Sequence, residues 1–337
     1  MHKRFVNHCT IQLTLKPDGP ILIKSGREGA DPTKPDMEFV DTYHDGRRSI
    51  YLPGSSLKGA IRAHAERIVR TVGSDRRPDE PEKLWASDPL DDRDKKNNPN
   101  NYLEEWKKDE KKKDAKDRHP FPGAELYRQS CFATQLFGST SVASRLRIED
   151  AYPKPGSLKL EERNGVAIDR VFGSVAVGPF NYQVCTAGEF TTKIHLKNFT
   201  LAQLGLIGLV LRDLNDGWFG IGFAKSRGLG TVSVTLKNAV VQYPGCKLDD
   251  KGGFLTLNES KTWSQPTLLG AGEFIGEDHT NYGFQLDEQP VEPNGMTKMD
   301  LGLGVQLSFD NEEDIKQKLF TTAVNAWKTL IPVGRSA

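Results

Sequence analysis

The stretch Leu52-Pro53-Gly54-Ser55-Ser56-Leu57-Lys58-Gly59-Ala60-Ile61-Arg62 runs from a turn into a helix, and its reading decides the fold. Proline and glycine end what precedes them, Ser55 or Ser56 is placed to cap, and apolar residues then recur from Leu57 to Val69. The free N–H groups of a first helical turn suit an anion, with phosphate the obvious guest. Lys58 and Arg62, four apart, share one face of that helix. The plain alternative is a capped helix carrying a solvated lysine and arginine.

A second segment, Gly217-Trp218-Phe219-Gly220-Ile221-Gly222-Phe223-Ala224-Lys225-Ser226-Arg227-Gly228-Leu229-Gly230, sets five glycines around Lys225, Ser226 and Arg227. Glycine permits close backbone approach and positive φ. A nucleotide-binding P-loop needs Gly-Lys-Ser/Thr, whereas Ala224 precedes Lys225 here, so ATP and dinucleotides are discounted. The alternative is a loose turn into a strand over Gly230 to Leu236, where Thr231, Ser233 and Thr235 alternate with Val232, Val234 and Leu236.

Alternation also predicts strands at Cys9–Leu15, after a turn at Pro17-Asp18-Gly19 at Pro20–Lys24, and at Val142–Ile148 and Glu189–Leu196. Helices are expected at Ser56–Val72 and Leu201–Leu214, the latter closed by Asp216-Gly217. Gly165–Ala187 reads as a long hairpin. The stretch from Ser74 to His119 is rich in Asp, Lys, Asn and Pro and reads as a charged insertion, with a solvated helix around Tyr102–Lys116. The order strand, helix, strands, helix, strand matches an α+β, ferredoxin-like fold.

Composition adds bounds rather than answers. The 337 residues carry 46 Lys and Arg against 45 Asp and Glu, so any positive groove must be local. Lys24, Arg27, Lys58, Arg62, Arg163, Arg170, Lys225 and Arg227 fall in or beside the conspicuous segments. No apolar run reaches membrane-spanning length, and Met1 to His8 lacks the apolar core of a signal peptide, so a cytoplasmic location is expected. The four cysteines, Cys9, Cys131, Cys185 and Cys246, are widely spaced and form no Cys-x-x-Cys pair.

The two segments, in this order and at this separation, resemble the RAMP superfamily of CRISPR-associated proteins. Pro53 to Gly59 is similar to that superfamily's signature, and Gly222 to Gly230 to its glycine-rich loop. Leu136-Phe137-Gly138-Ser139, Arg147-Ile148-Glu149-Asp150-Ala151-Tyr152, Val166-Ala167-Ile168-Asp169-Arg170 and Gly188-Glu189-Phe190 resemble segments of type III effector backbone subunits. The resemblance covers roughly residues 5 to 237. It implies a ferredoxin-like core over 1–237 interrupted by an insertion at 74–120, a hairpin thumb reaching towards the next subunit, and an extension over 238–337.

The implied function is a backbone subunit that grips guide RNA by its phosphates and cleaves complementary target RNA. Its implied partners are guide RNA, target RNA, other RAMP-type subunits and the effector's large subunit. Lys24, Arg27, Ser55, Ser56, Lys58, Arg62, Arg163, Arg170, Lys225, Ser226 and Arg227 are the candidate RNA contacts. The resemblance places a catalytic aspartate between Gly26 and Val40: Asp36 first, Asp31 second, with Asp41 or Glu38 behind them and Asp45 last. Asp36 would hold Mg²⁺ beside the scissile phosphate, although Pro35-Asp36 also reads as an ordinary turn. Some relatives resemble zinc binders with a helical His and nearby cysteines. His64 and Cys131 stand at such places, but Thr134 takes the position of a further cysteine, so zinc is not expected. A subunit that binds without cutting, and a processing endoribonuclease using a His base, are the alternatives. Against the second, His8, His44 and His64 form no evident acid/base set. The usual aromatic consensus of RNA-recognition motifs is not found, which favours backbone gripping over base stacking.

Overall fold

The computed structural model describes residues 4–26, 35–88, 99–119 and 123–332. Its centre is β1 (His8–Pro17), whose alternating Cys9, Ile11, Leu13 and Leu15 are buried, as a half-buried strand requires. β2 (Asp41–His44) and β3 (Arg47–Ile50) form a small hairpin around Asp45-Gly46, with φ of 49° and 73°. Positive φ at both central residues is the geometry of a two-residue type I′ turn. α1 (Gly54–Val72) follows, then α2 (Pro99–Lys112), α3 (Gly123–Gln129) and α4 (Phe132–Phe137). β4 (Leu146–Ile148) and β5 (Tyr152–Pro153) lead into a long hairpin of β6 (Lys159–Ile168) and β7 (Val175–Ala187). β8 (Phe190–Lys197), α5 (Leu201–Asn215) and β9 (Val232–Tyr243) complete the core.

The core strands lie in the order β9-β1-β8-β4, every neighbour antiparallel. With α1 and α5 in the crossovers this is the ferredoxin-like arrangement. The hairpin is inserted between its second and third strands. α5 starts with a capping box, Thr200 with Gln203, and its Leu201, Leu204, Ile207 and Leu211 are buried.

Beyond β9, β10 (Cys246–Leu248), β11 (Phe254–Thr256) and β12 (Thr262–Trp263) form a meander. β13 (Thr267–Leu269) pairs with β14 (Glu288–Pro290) across the short α6 (Asp278–Tyr282). β15 (Gly295–Lys298) and β16 (Val305–Phe309) then extend the main sheet outward from β9. The last helical stretch combines α7 (Glu312–Asp314), a π-helical segment at Ile315–Phe320, α8 (Thr321–Asn325) and a 3₁₀ turn at Ala326–Thr329. It lies on α5, and the Trp327 indole N–H donates to Ala202 O at 2.8 Å. Gly205 and Gly208 of α5 allow that approach. A Cβ on Gly205 would stand 2.9 Å from Val324 N, and one on Gly208 2.5 Å from the Phe320 ring.

Four expectations shift. The strand expected over Pro20–Lys24 is reduced to isolated bridges, Ile21 with Cys185 and Lys24 with Phe39. The strand expected over Val142–Ile148 contracts to β4, because Ser139 N–H donates to Val142 O and Gly138, at φ 85°, closes a turn there. The charged stretch does not begin outside the core. Leu84, Trp85 and Ala86 are buried, Ser74 bridges to Trp85, and Leu84 N–H donates to Leu330 O at 2.9 Å. Three apolar residues inside so charged a segment escape a reading by average composition. The helix expected at Tyr102–Lys116 instead runs over Pro99–Lys112.

Gly205→Ala tests the seating of the last helices on α5. Alanine gains about 1 kcal/mol of helix propensity, but here its Cβ would meet backbone. The expected net result is a loss of about 1–3 kcal/mol and a lower Tm; a raised Tm in thermal unfolding would show that α8 does not press on Gly205.

Candidate nucleic-acid interface

The end of the sheet where β1 stops gathers most of the signature residues. Leu15 pairs with Phe190 at the start of β8, and Pro17 with Val232 at the start of β9. Leu52 bridges to Ala151, which brings the N-terminus of α1 against the β4–β5 connection. Neither serine caps the helix. Pro53 takes the N-cap position and Gly54 N–H donates to Asp150 Oδ1 at 2.7 Å. Gly54 also has no room for a side chain, since a Cβ would run into Ile148 O. Ser55 and Ser56 are left exposed, and their side chains have no hydrogen-bond partner among the described residues. The N-terminus of α1 is therefore already partly neutralised by a carboxylate at one N–H.

Lys58 and Arg62 do project from one face of α1, but both are engaged. Lys58 Nζ donates to Ser144 Oγ at 2.8 Å, and burial, then Arg62, holds its pKa below the usual lysine value. Arg62 donates to Gly138 O at 2.9 Å and to Glu66 at 2.8 Å. They clamp the Gly138–Ser144 turn against the helix.

The glycine-rich loop packs on residues 20–23. Phe223 N–H donates to Leu22 O at 2.7 Å, Gly230 N–H to Pro20 O at 2.9 Å, and Ile221 N–H to Gly230 O at 2.9 Å. Gly222 and Gly230, at φ 78° and 98°, face backbone oxygens where no Cβ fits. These two glycines serve close approach within the protein. Gly228, at φ 83°, faces open space. Between them Ala224 sits in the left-handed region and launches a single 3₁₀ turn, Lys225–Arg227. All three of its side chains are exposed, and none makes an ion pair or hydrogen bond among the described residues.

A buried pair holds the root of this loop. His64 Nε2 donates to Asp213 Oδ2 at 2.7 Å, and Arg212 grips Asp213 Oδ1 at 2.7 and 2.9 Å. The His64 ring stacks on Phe219, centroids 4.3 Å apart, and Trp218 N–H donates to Asp213 O. Cys131 lies elsewhere, accepting from Thr134 N as the N-cap of α4. Among the described residues no group of three or more His, Cys, Asp or Glu could hold a metal ion.

Arg27 and Asp31 lie outside the described residues. Asp36 is exposed and docks on the hairpin: Asn181 N–H donates to its Oδ2 at 2.8 Å, and Met37 bridges to Tyr182. Tyr182 pairs in turn with Arg163 on β6. Lys24 is exposed opposite Phe39 on the same segment. Arg170 belongs to the hairpin tip, about 20 Å further along at roughly 3.3 Å per residue. Asp36 and Arg163 thus lie at the middle of the hairpin with Lys24 on the adjoining segment, and Lys225, Ser226 and Arg227 share the loop, whereas Arg170 stands apart.

One grouping was not legible from spacing. His8 and His195, which β1–β8 pairing brings together, have ring centroids 5.6 Å apart, and His195 Nε2 lies 2.9 Å from Glu149 Oε1. His44 stacks on Tyr152 at 3.7 Å instead.

The model of the family described as the RAMP superfamily matches residues 14–233. A comparison with curated proteins returned no match. No helix among the described residues is long and apolar enough to cross a membrane.

His64→Ala tests the anchor of the loop. It leaves the carboxylate of Asp213, 1% exposed, with Arg212 as its remaining side-chain partner. Removing one hydrogen-bond donor from a buried acceptor costs about 1–3 kcal/mol, and a loss in that range is expected. Chemical denaturation showing an unchanged midpoint would remove the pair from the account of loop stability.

Proposed function

Because the chain belongs to the RAMP superfamily, we propose that it is a guide-RNA-binding backbone subunit of a type III CRISPR effector and that Asp36 cuts complementary target RNA. The family makes it a CRISPR-associated RNA-binding protein that works in multi-subunit complexes, and the family includes endoribonucleases. The observation that carries the finer reading is the joining of Asp36 to the long hairpin through Asn181 N–H. A hairpin that props a strand open would present a carboxylate on its own flank.

Lys225 and Arg227, exposed and unpaired among the described residues, supply positive charge for phosphates, and Gly228 leaves room for a backbone beside them. The hydroxyls of Ser55 and Ser56 are free to donate to the same strand. Lys58 and Arg62 act through the Gly138–Ser144 turn as much as through charge.

At Asp36, Oδ1 is the oxygen that Asn181 leaves uncommitted. One carboxylate oxygen fits Mg²⁺, which takes few protein ligands and keeps its waters, provided RNA phosphate oxygens complete the set. Bound there, the ion would offset charge developing on the scissile phosphate. Asn181 N–H fixes the carboxylate's orientation, so Asp36 need not reorganise as RNA arrives. The same solitary carboxylate also suits the second reading, in which Asp36 only fastens its loop to the hairpin and the subunit binds without cutting.

The assembled effector, with guide RNA, Mg²⁺ and labelled target, separates these readings. Asp36→Asn keeps an acceptor for Asn181 N–H and removes the charge. Cleavage at one or more positions should fall by about 10²-fold or more, with target binding retained. If every cut persists, Asp36 is a strut. Lys225→Ala with Arg227→Ala should weaken guide-RNA retention and flatten the log-log salt slope by about 1.4, at roughly 0.7 per single-strand phosphate contact. An unchanged slope would clear the loop of that role.

A further inference from the structure

The face of the sheet opposite α1 and α5 carries a chemistry that the loop and the hairpin do not use. Strand alternation points Thr10, Gln12 and Thr14 of β1 away from the helices, beside Lys193, His195 and Lys197 of β8. No Phe, Tyr or Trp stands at the outward positions of these two strands. Thr14 is buried there, Thr10, Gln12, His195 and Lys197 are half-buried, and Lys193 is exposed, so the face presents hydroxyl, amide and cationic groups.

Its charges are crowded and unbalanced. Register sets Lys197 opposite His8, His195 opposite Thr10, and Arg147 opposite His195. The one carboxylate among them, Glu149, serves both His195 at 2.9 Å and Arg147 at 3.2 Å. Lys193 and Lys197 have no acidic partner among the described residues. Burial first, then His195, Arg147 and Lys197, keep His8 below the ordinary histidine pKa, and only its hydrogen bond to Gln242 of β9 opposes them. Like charges gathered around a single carboxylate repel, and an anion laid across them would relieve that cost. Lys193 and Lys197 lie about 13 Å apart along one strand face, at roughly 3.3 Å per residue, far enough to meet separate phosphates of one strand.

We infer that the open face of the sheet, centred on His8, Arg147, Lys193 and Lys197, is a second contact surface for an RNA strand, which it holds by phosphate groups without reading bases. The inference rests on the RNA-binding reading above and adds a surface to it. An RNA strand is favoured over a protein partner because the face is cationic and its β1 and β8 positions carry no aromatic anchor of the kind protein interfaces use. Phosphate beside His8 favours its protonated form, so binding takes up a proton. Affinity must then fall as pH rises through the titration of His8. The groups facing it are His195 and Lys197 from β8, Arg147 and Glu149 from the β4 side, and the neutral Gln242 from β9.

The test uses the full chain and an unstructured, mixed-sequence single-stranded RNA, with fluorescence anisotropy read over a series of salt concentrations. Lys193→Glu with Lys197→Glu should raise Kd by about tenfold or more at low salt and flatten the log-log slope by about 1.4. The milder Lys193→Gln with Lys197→Gln should lie between that variant and wild type, which separates lost contact from misfolding. His8→Gln should abolish part of the affinity change between pH 5.5 and 7.5. If the lysine variants leave Kd and slope unchanged while Lys225→Ala with Arg227→Ala weakens binding, the face is not an RNA surface and the RNA-binding reading stands. If the unmodified chain binds no RNA, both fall. If RNA binding is unchanged but light scattering shows an altered oligomeric state, the face joins protein copies and the inference is overturned.

Discussion

The pairing of β1 along both its edges is the constraint on which the rest depends. Eight residues of β1 are in register with β8 and ten with β9, broken once by a bulge after Gln12. Because side chains alternate, this register decides in one step which residues meet the helices and which meet solvent. Cys9, Ile11, Leu13 and Leu15, none more than 2% exposed, become the floor beneath α1 and α5. His8, Thr10 and Gln12 become the outward face. A slip of one residue would exchange them, burying a histidine and a glutamine and exposing four apolar side chains.

The same pairing fixes where β1 ends, and hence where the signature segments meet. α1 can start close to the sheet only because Gly54 has no Cβ to collide with Ile148 O, and Asp150 then reaches its first N–H. α5 ends against α1 through His64 and Asp213, with Phe219 stacked on the imidazole. The loop that follows is thus rooted in a buried His–Asp hydrogen bond and ends in three exposed side chains. Rigidity at the root and freedom at the tip suit a group that must keep its place while meeting a ligand of variable shape.

Much of this was legible because it is local. Strand alternation in β1, β8 and β9 and the apolar run of α5 follow from period and turn residues, and the hairpin expected at Gly165–Ala187 is found but starts earlier, at Lys159. What could not be read depends on distant partners. The serines of α1 look like caps, yet the cap comes from Asp150, 96 positions away. Glycines 222 and 230 look like room for a ligand, yet the chain's own backbone fills that room. Leu84-Trp85-Ala86 disappears in a charged neighbourhood because burial is decided by Leu330, far along the sequence. The His8–His195 contact requires the register of two strands, which no spacing in the sequence reveals.

Asp36 shows how these long-range ties bear on chemistry. The segment that carries it has little regular structure of its own, being held by single bridges from Met37 to Tyr182 and from Phe39 to Lys24. A carboxylate on such a segment would ordinarily sample many positions, and the entropy of fixing it would weigh against catalysis. Gln183 N–H donating to Met37 O and Met37 N–H to Asn181 O tie the segment to β7 at the hairpin. Under the proposed reading, whatever seats the hairpin on RNA therefore also seats Asp36. Cutting would then be positioned along the target by where the hairpin sits.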